Sequence, residues 1–366
     1  MENKQSKEGQ SAEWISTWSR FIRQKPLSHA PQQETGSDII EQVLEAIQQG
    51  DSCISASSEQ AETLNDLVVS AADIGQQIAP FVFDEQRLYL YRYWALEQSL
   101  AQQVARLKQQ HIAAVDISAY PNLLTDEHQI QALSMVAKQG LNIITGGPGT
   151  GKTYTLARII AVLNQAMPNI RIAMAAPTGK AAQRMKEALQ NSLNDEKLQD
   201  LVTDELKQLN PITIHRLLGL GSNAQPRFHA QQALPYDVIV VDEASMLDLS
   251  LANMLLSAVP DHARVILLGD ADQLAAVDVG SVLADLQQVP ALAENHVHLR
   301  NSRRFKQDAL IGKMAQFIQA QQPNQNAAAL FAKFAEQVVH PSEIKAIALT
   351  AEMEDQLQLE YLPINM

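Results

Sequence analysis

Residue types suited to gripping a phosphate chain occur together at Gly146-Gly147-Pro148-Gly149-Thr150-Gly151-Lys152-Thr153. The spacing is G-x-x-x-x-G-K-[ST], the Walker A pattern. Its glycines let the backbone curl until several N–H groups point inward, and a following helix start adds partial positive charge. Lys152 is placed to reach the β- and γ-phosphates of ATP, and the Thr153 hydroxyl to hold Mg²⁺. A second set follows the apolar run Val238-Ile239-Val240-Val241, where a strand end delivers Asp242 and Glu243. Asp242 would share the Mg²⁺ shell with Thr153, and Glu243 would orient or deprotonate an attacking water. In Gly269-Asp270-Ala271-Asp272-Gln273-Leu274, Gln273 sits where a neutral side chain could touch a γ-phosphate. It could then report that group to Val279-Gly280-Ser281-Val282, a two-state device driven by hydrolysis.

These residues need strand ends and helix starts to hold them. Leu141 to Thr145 reads as a buried strand, and Thr155 to Leu163 has helical spacing, so the glycine loop joins strand to helix. Before it, Thr125-Asp126-Glu127-His128 opens a helix with Ile130, Leu133 and Val136 on its apolar stripe and Gly140 as its C′ residue. Gln129 lies on that helix. A carboxamide can pair with adenine N6 and N7, which makes Gln129 a candidate base reader, although surface Gln is common in this chain. After the loop, Arg171 to Ala176 reads as a strand. Pro177-Thr178-Gly179-Lys180 then starts a helix, which is either a second phosphate site, for a nucleic-acid backbone, or an ordinary turn with solvated lysines. Thr213 to Gly219 is a short capped helix. His215 within it reads, taken alone, as a packed structural residue. The stretch from Gly221 to Pro235 interrupts the α/β alternation as a small hairpin or loop. Arg264 to Leu268 is a further strand, and His296 to Leu299 another. After the latter come Arg303 and Arg304, which are either surface charge or an arginine that completes the site in cis.

Composition sets the outer bounds. The 366 residues are 46% hydrophobic and carry a net charge of −13. That balance argues against a simple nucleic-acid binder. Its distribution softens the objection: residues 126–236 hold 11 Lys and Arg against 8 Asp and Glu, whereas the flanks are acidic. Cys53 is the only cysteine, which excludes an internal disulfide and a cysteine-rich zinc site. No apolar run is long enough for a membrane span and no signal-peptide core is present, so the expectation is a cytoplasmic protein. The first 124 residues show Trp14-Ile15, Trp18 and Phe21-Ile22 at helical spacing after a polar start. A helix over Ile39 to Ile47 follows, then a hairpin at Phe81 to Leu90 and a long helix from about Tyr93 to Gln110. None of these has the spacing of a catalytic site. A helical docking region with a disordered start is expected.

Taken in order, the motifs resemble the RecD family of superfamily 1 DNA helicases, the α subunits of RecBCD helicase–nucleases (exodeoxyribonuclease V). The resemblance runs from about Leu88 to about Ile318. It rests on Gln129 and Ala132, Gly146 to Thr153, Ala175 to Ala182, Thr213 to Gly219, Asp242-Glu243-Ala244-Ser245, Gly269 to Leu274, and Ser302-Arg303-Arg304-Phe305. It implies an α/β P-loop NTPase fold: a RecA-like parallel sheet flanked by helices, with a mainly helical N-terminal domain and a partial second lobe. The boundaries it implies are 1–124, 125–293 with a small insert at about 219–236, and 294–366. It further implies that Gln129 reads adenine, that Gly146 to Thr153 bind phosphates, that Thr153 and Asp242 hold Mg²⁺ and that Glu243 readies water. Gln273 would sense the γ-phosphate and Arg304 would be an arginine finger. Thr178, Lys180, Thr213 and His215 would face single-stranded DNA. The activity implied is ATP-driven 5′→3′ unwinding from duplex ends in double-strand-break repair by homologous recombination, beside RecB- and RecC-type partners, with no membrane role. Two further second-lobe motifs of such motors have no match, so a complete first lobe and only the start of a second is expected. The rival expectations are an ATP-binding assembly subunit without motor activity and an AAA+-type protein-remodelling ATPase.

Overall fold

The computed structural model describes residues 14–22, 35–77, 79–221, 225–270, 273 and 278–300. Expectations that fall on other residues, among them the disordered start, Arg303, Arg304 and most of the partial second lobe, lie outside the described residues.

The N-terminal part begins with a helical stretch, α1, over residues 14–22. Helix α2 (Thr35–Gln49), strand β1 (Cys53–Ser55), helix α3 (Ser58–Glu62) and strand β2 (Val68–Ser70) follow. The hairpin β3 (Phe81–Asp84) and β4 (Arg87–Leu90) comes next. Its two-residue turn places Glu85 and Gln86 at φ 42° and 67°, the handedness that matches strand twist. The four strands form one sheet in the order β1-β4-β3-β2, with β2 parallel to β3 and the other pairs antiparallel. Ile39, Ile40, Val43 and Leu44 of α2 pack against Phe81 and Leu88 of this sheet. Patterning predicts a mainly helical region with a single hairpin. Instead the hairpin is the centre of a sheet whose outer strands are three residues each, too short for an alternation to register.

The long helix α4 (Tyr91–Gln109) leaves that sheet and buries Leu100, Val104 and Leu107 in the core of the larger part of the molecule. Leu123 and Leu124 are buried in a second core there. Packing therefore does not divide between residues 124 and 125.

The larger part continues with α5 (Glu127–Lys138), β5 (Leu141–Gly146), α6 (Lys152–Ala166), β6 (Ile172–Ala176) and α7 (Gly179–Leu193). Then come α8 (Asp204–Lys207), β7 (Ile212–Thr213), α9 (Ile214–Leu218), β8 (Val238–Val241) and α10 (Leu249–Ser257). It closes with β9 (Arg264–Gly269), α11 (Val282–Gln288) and β10 (His296–Leu299). The described strands make an all-parallel sheet in the order β10-β5-β9-β8-β6-β7. Every residue of β5, β8 and β9 is buried. That is why these strands read as mainly apolar runs, unbroken in β8: both faces are covered by helices. The two faces have separate cores, with Ile143, Ile239, Val265 and Leu267 on one side and Ile144, Val240, Ile266 and Leu268 on the other. Because all strands are parallel, their carboxyl ends gather at one edge, where open α/β sheets bind ligands.

One expected feature differs in detail. Strand β10, expected in a second lobe beginning at 294, is the edge strand of this same sheet, paired with β5 from His296↔Ile143 to Leu299↔Gly146. In the stretch between α9 and β8, read as a small hairpin or loop, the described residues form one antiparallel bridge, His229–Gln232.

Candidate functional site

Strand β5 runs straight into the glycine loop and α6 leaves it. Gly149 and Gly151 have φ of 82° and 88°, a left-handed backbone that costs glycine little. A Cβ on Gly151 would lie 2.8 Å from the Gln129 amide nitrogen, whereas one on Gly147 would meet nothing within 4 Å. The loop is therefore packed on its inner side and open at Gly147. Exposed Pro148 lies at the rim, while Thr150 is buried and its hydroxyl donates to the Gly147 carbonyl at 2.9 Å. No side chain caps the start of α6, so its first turn keeps N–H groups for a ligand. The Lys152 ammonium folds back over the loop and donates to the carbonyls of Gly146 and Gly147. Thr153 is half-buried in the same turn.

Gln129 approaches from α5, whose N-cap Asp126 accepts its backbone N–H at 3.1 Å. Its side chain is 3% exposed. The amide nitrogen reaches the Thr150 carbonyl at 3.5 Å, the limit of a hydrogen bond, and the buried Oε1 has no protein partner. An orphaned acceptor beside a phosphate loop suits a donor such as an exocyclic amine.

Asp242 and Glu243 follow β8. The Asp242 carboxylate accepts the Glu243 N–H at 3.0 Å. Burial pushes the Asp242 carboxyl up to about 6, the Glu243 carboxylate adds to that, and the Glu243 N–H and the Lys152 cation oppose it. Glu243 itself has φ 53° and ψ 39°, a left-handed conformation uncommon for a non-glycine residue. Such strain gathers where a side chain must be aimed. Next to this turn, a Cβ on Gly269 would lie 2.4 Å from a Leu283 methyl and 3.0 Å from the Ser245 amide nitrogen. Glycine there lets β9 close on the acidic turn. Beyond it, Asp270 is 4% exposed, and exposed Gln273 donates its side-chain amide to the Asp270 carboxylate at 3.1 Å. Arg304 lies outside the described residues.

The other half of the same edge holds the remaining predicted residues. Thr178 is the N-cap of α7, accepting the Ala181 N–H at 3.1 Å, and Thr213 is the N-cap of α9, accepting the Arg216 N–H at 3.2 Å. The register Ala176↔Thr213 makes them neighbours at the ends of adjacent strands. Each hydroxyl still has its own O–H to donate. Lys180 is exposed. His215 is exposed too, not packed, and lines a cavity of 260 Å³ with Arg92, Tyr93 and Asp278.

Sequence reasoning missed one constellation. Thr145, directly before the loop, bonds His296 Nε2 at 2.7 Å and His298 Nδ1 at 2.9 Å. Burial, then His298, holds the His296 imidazole below its ordinary value. The signal was the His-x-His alternation, which puts both rings on one face of β10.

A family model described as an AAA domain matches residues 129–278. The RecBCD enzyme subunit RecD of Mycobacterium tuberculosis is 42% identical over 248 residues, 65% of this chain and 42% of that protein. RecD of Haemophilus influenzae is 35% identical over 286 residues, 66% of this chain and 44% of that protein. The ATP-dependent RecD2 DNA helicase of Deinococcus radiodurans is 38% identical over 173 residues, 47% and 21% of the two chains. The chain thus spans less than half the length of these relatives.

Proposed function

We propose, from the premise that this chain belongs to the RecD-type superfamily 1 helicase family, that it is an ATP-hydrolysing DNA helicase subunit. Its substrates are ATP and single-stranded DNA entered from a duplex end, with 5′→3′ polarity by family. Its partners are RecB- and RecC-type subunits, its setting is the cytoplasm, and its task is double-strand-break repair by recombination. No helix among the described residues is long and apolar enough to cross a membrane. The exposed stripe of Trp14, Trp18 and Phe21 on α1 supports a protein partner at the N-terminal part.

The observation that carries the reading is one juxtaposition. Lys152, lying across the mouth of the loop, is close enough to half-buried Asp242 to stabilise its charge. An ammonium at a helix start and a carboxylate at the end of a parallel strand are what a metal–triphosphate pair requires. In the mechanism, the N–H groups of Gly146 to Thr153 bind the phosphates, with Pro148 and Gly149 shaping the curl. Lys152 swings from the loop carbonyls to the β- and γ-phosphates. The Gln129 amide, with its free acceptor, reads adenine. Thr153 and Asp242 would hold Mg²⁺, which when bound neutralises charge on the phosphates. Glu243, aimed by its left-handed backbone, takes a proton from the attacking water. Gln273 exchanges Asp270 for the γ-phosphate, and Arg304 stabilises charge on the transferring group. Thr178, Lys180, Thr213 and His215 contact the DNA backbone.

The test is ATP turnover by the full chain with and without single-stranded DNA, followed by unwinding of a 5′-tailed duplex. Stimulation and unwinding support the reading. Turnover indifferent to DNA points to a protein remodeller. ATP binding without turnover points to an assembly subunit.

A further inference from the structure

A cavity of about 910 Å³ lies between the N-terminal sheet and the larger part of the molecule; its lining includes Gly280, Ser281 and Val282 but none of the residues placed against nucleotide. One wall is the turn Gly50 to Cys53, a second is α4, and the third is α11. The walls are tied together: the Gly280 N–H donates to the Gly50 carbonyl at 2.9 Å, and the Ser52 hydroxyl donates to Glu97 of α4. The floor is apolar, built from Leu100, Val104, Val282 and Leu286. A space of this volume, apolar with a few convergent polar groups, has the form of a binding site.

Its charge selects the occupant. Glu97 on α4 and Asp285 on α11 line it together with Asp51 of the turn, against Arg87 and Lys108. Two groups report the balance between them. Burial raises the Asp285 carboxyl, and Glu97 raises it further against a smaller pull from Arg87. On the facing wall, burial raises the Cys53 thiol, and there too Glu97 outweighs Arg87. With three acids against two bases, the lining is net negative. We propose that this cavity receives a segment of a partner protein that brings one lysine or arginine flanked by apolar side chains. Such a side chain lays its methylenes on the leucine floor and its charge between Glu97 and Asp285. A second copy of this chain, at a net charge of −13, is the poorer match.

Cys53 lines the cavity and is the chain's only cysteine, so thiol labelling of the full-length protein reads this site alone. The first measurement compares methanethiosulfonates carrying an ethylammonium or an ethylsulfonate group. The ratio of their rates, divided by the same ratio for free cysteine, should favour the cation by about tenfold. Glu97→Gln, which keeps a hydrogen-bond acceptor for Ser52, should bring the ratio towards one. A ratio of one in the unaltered protein overturns the proposal. The second measurement is protection of Cys53 by acetyl-Leu-Lys-Leu-amide, by acetyl-Leu-Glu-Leu-amide and by octylammonium. Saturable protection by the lysine peptide, lost in Asp285→Asn and absent with the glutamate peptide, supports it. Equal protection by both peptides, protection by neither, or protection by octylammonium alone overturns it. No nucleotide enters these assays, so failure here is separate from failure of the helicase reading.

Discussion

Two halves of one sheet edge hold the candidate chemistry in opposite ways. Around the ends of β5, β9 and β8 three polar residues are buried: Gln129, Thr150 and Asp270 are 3, 5 and 4% exposed. Asp242 there has its carboxyl raised to about 6 by burial. At the ends of β6 and β7, Thr178, Lys180 and His215 are exposed, and their backbone neighbours are ordinary helix caps. A dry half fixes dipoles and charges before a reaction begins and strengthens each contact. A wet half is suited to screened, interchangeable contacts of the kind a polyanion makes. Substitutions in the first should therefore act through geometry and protonation, and those in the second through salt.

The largest effect is expected from Lys152→Ala. Its ammonium is the sole cation bonded to the loop carbonyls among the described residues, and removing it should lower ATP turnover by about 10²–10³-fold, as for other lost transition-state donors. Its side chain lies outside the core clusters, so the thermal midpoint should shift by under about 4 °C. A variant that turns over ATP normally would erase the distinction between the two halves.

Gly269→Ala tests the dryness itself. The new methyl would press on the Ser245 amide at 3.0 Å and the Leu283 side chain at 2.4 Å. Overpacking of this kind costs about 1–3 kcal/mol, readable as a lower urea midpoint. An unchanged midpoint would mean that β9 and the acidic turn are not closely held.

Protonation of Asp242 gives a smaller effect with a definite sign. Its folded value of about 6 lies above the ~3.9 of an unfolded chain, so the folded state binds the proton more tightly. Its contribution to stability is full below about pH 4 and is lost as pH rises through about 6. Asp242→Asn should remove that decline in pH-dependent unfolding. If Asp242 holds Mg²⁺, nucleotide affinity in Mg²⁺ should run the other way, weakening about tenfold from pH 7 to pH 5 as Asp242 protonates. The same titration in EDTA should be nearly flat. Equal pH dependence with and without Mg²⁺ would take Asp242 out of the metal site.

The dry half was the legible one. Strands buried on both faces leave mainly apolar runs, and a loop with a left-handed backbone leaves glycines at fixed spacing, as at Gly149 and Gly151. The wet half was readable only as alternatives, because a threonine capping a helix and a threonine facing a phosphate have the same spacing. Gln129 shows the limit from the other side: its type suggested base reading, yet nothing in the sequence signalled that it is buried against Gly151. The N-terminal sheet escaped because β1 and β2 are three residues long, and their pairing depends on neighbours distant in sequence. The packing of α4 was illegible for a similar reason. Helix α4 reads as part of the region before it, but its apolar face belongs to the core after it.

The smallest expected effect belongs to Lys180. Its ammonium is exposed at the start of α7, beside two capping hydroxyls at neighbouring strand ends. If it neutralises one phosphate, Lys180→Ala should weaken single-strand binding uniformly across sequences. The slope of log affinity against log salt should then flatten by about 0.7, the value for one counterion released from a single strand. ATP turnover without DNA should not change, since no described contact links Lys180 to the loop. A lowered DNA-free turnover would place Lys180 with the buried half, and an unchanged slope would remove it from the DNA path. The paired outcome, a changed slope with constant basal turnover, would establish that one edge carries two separable functions.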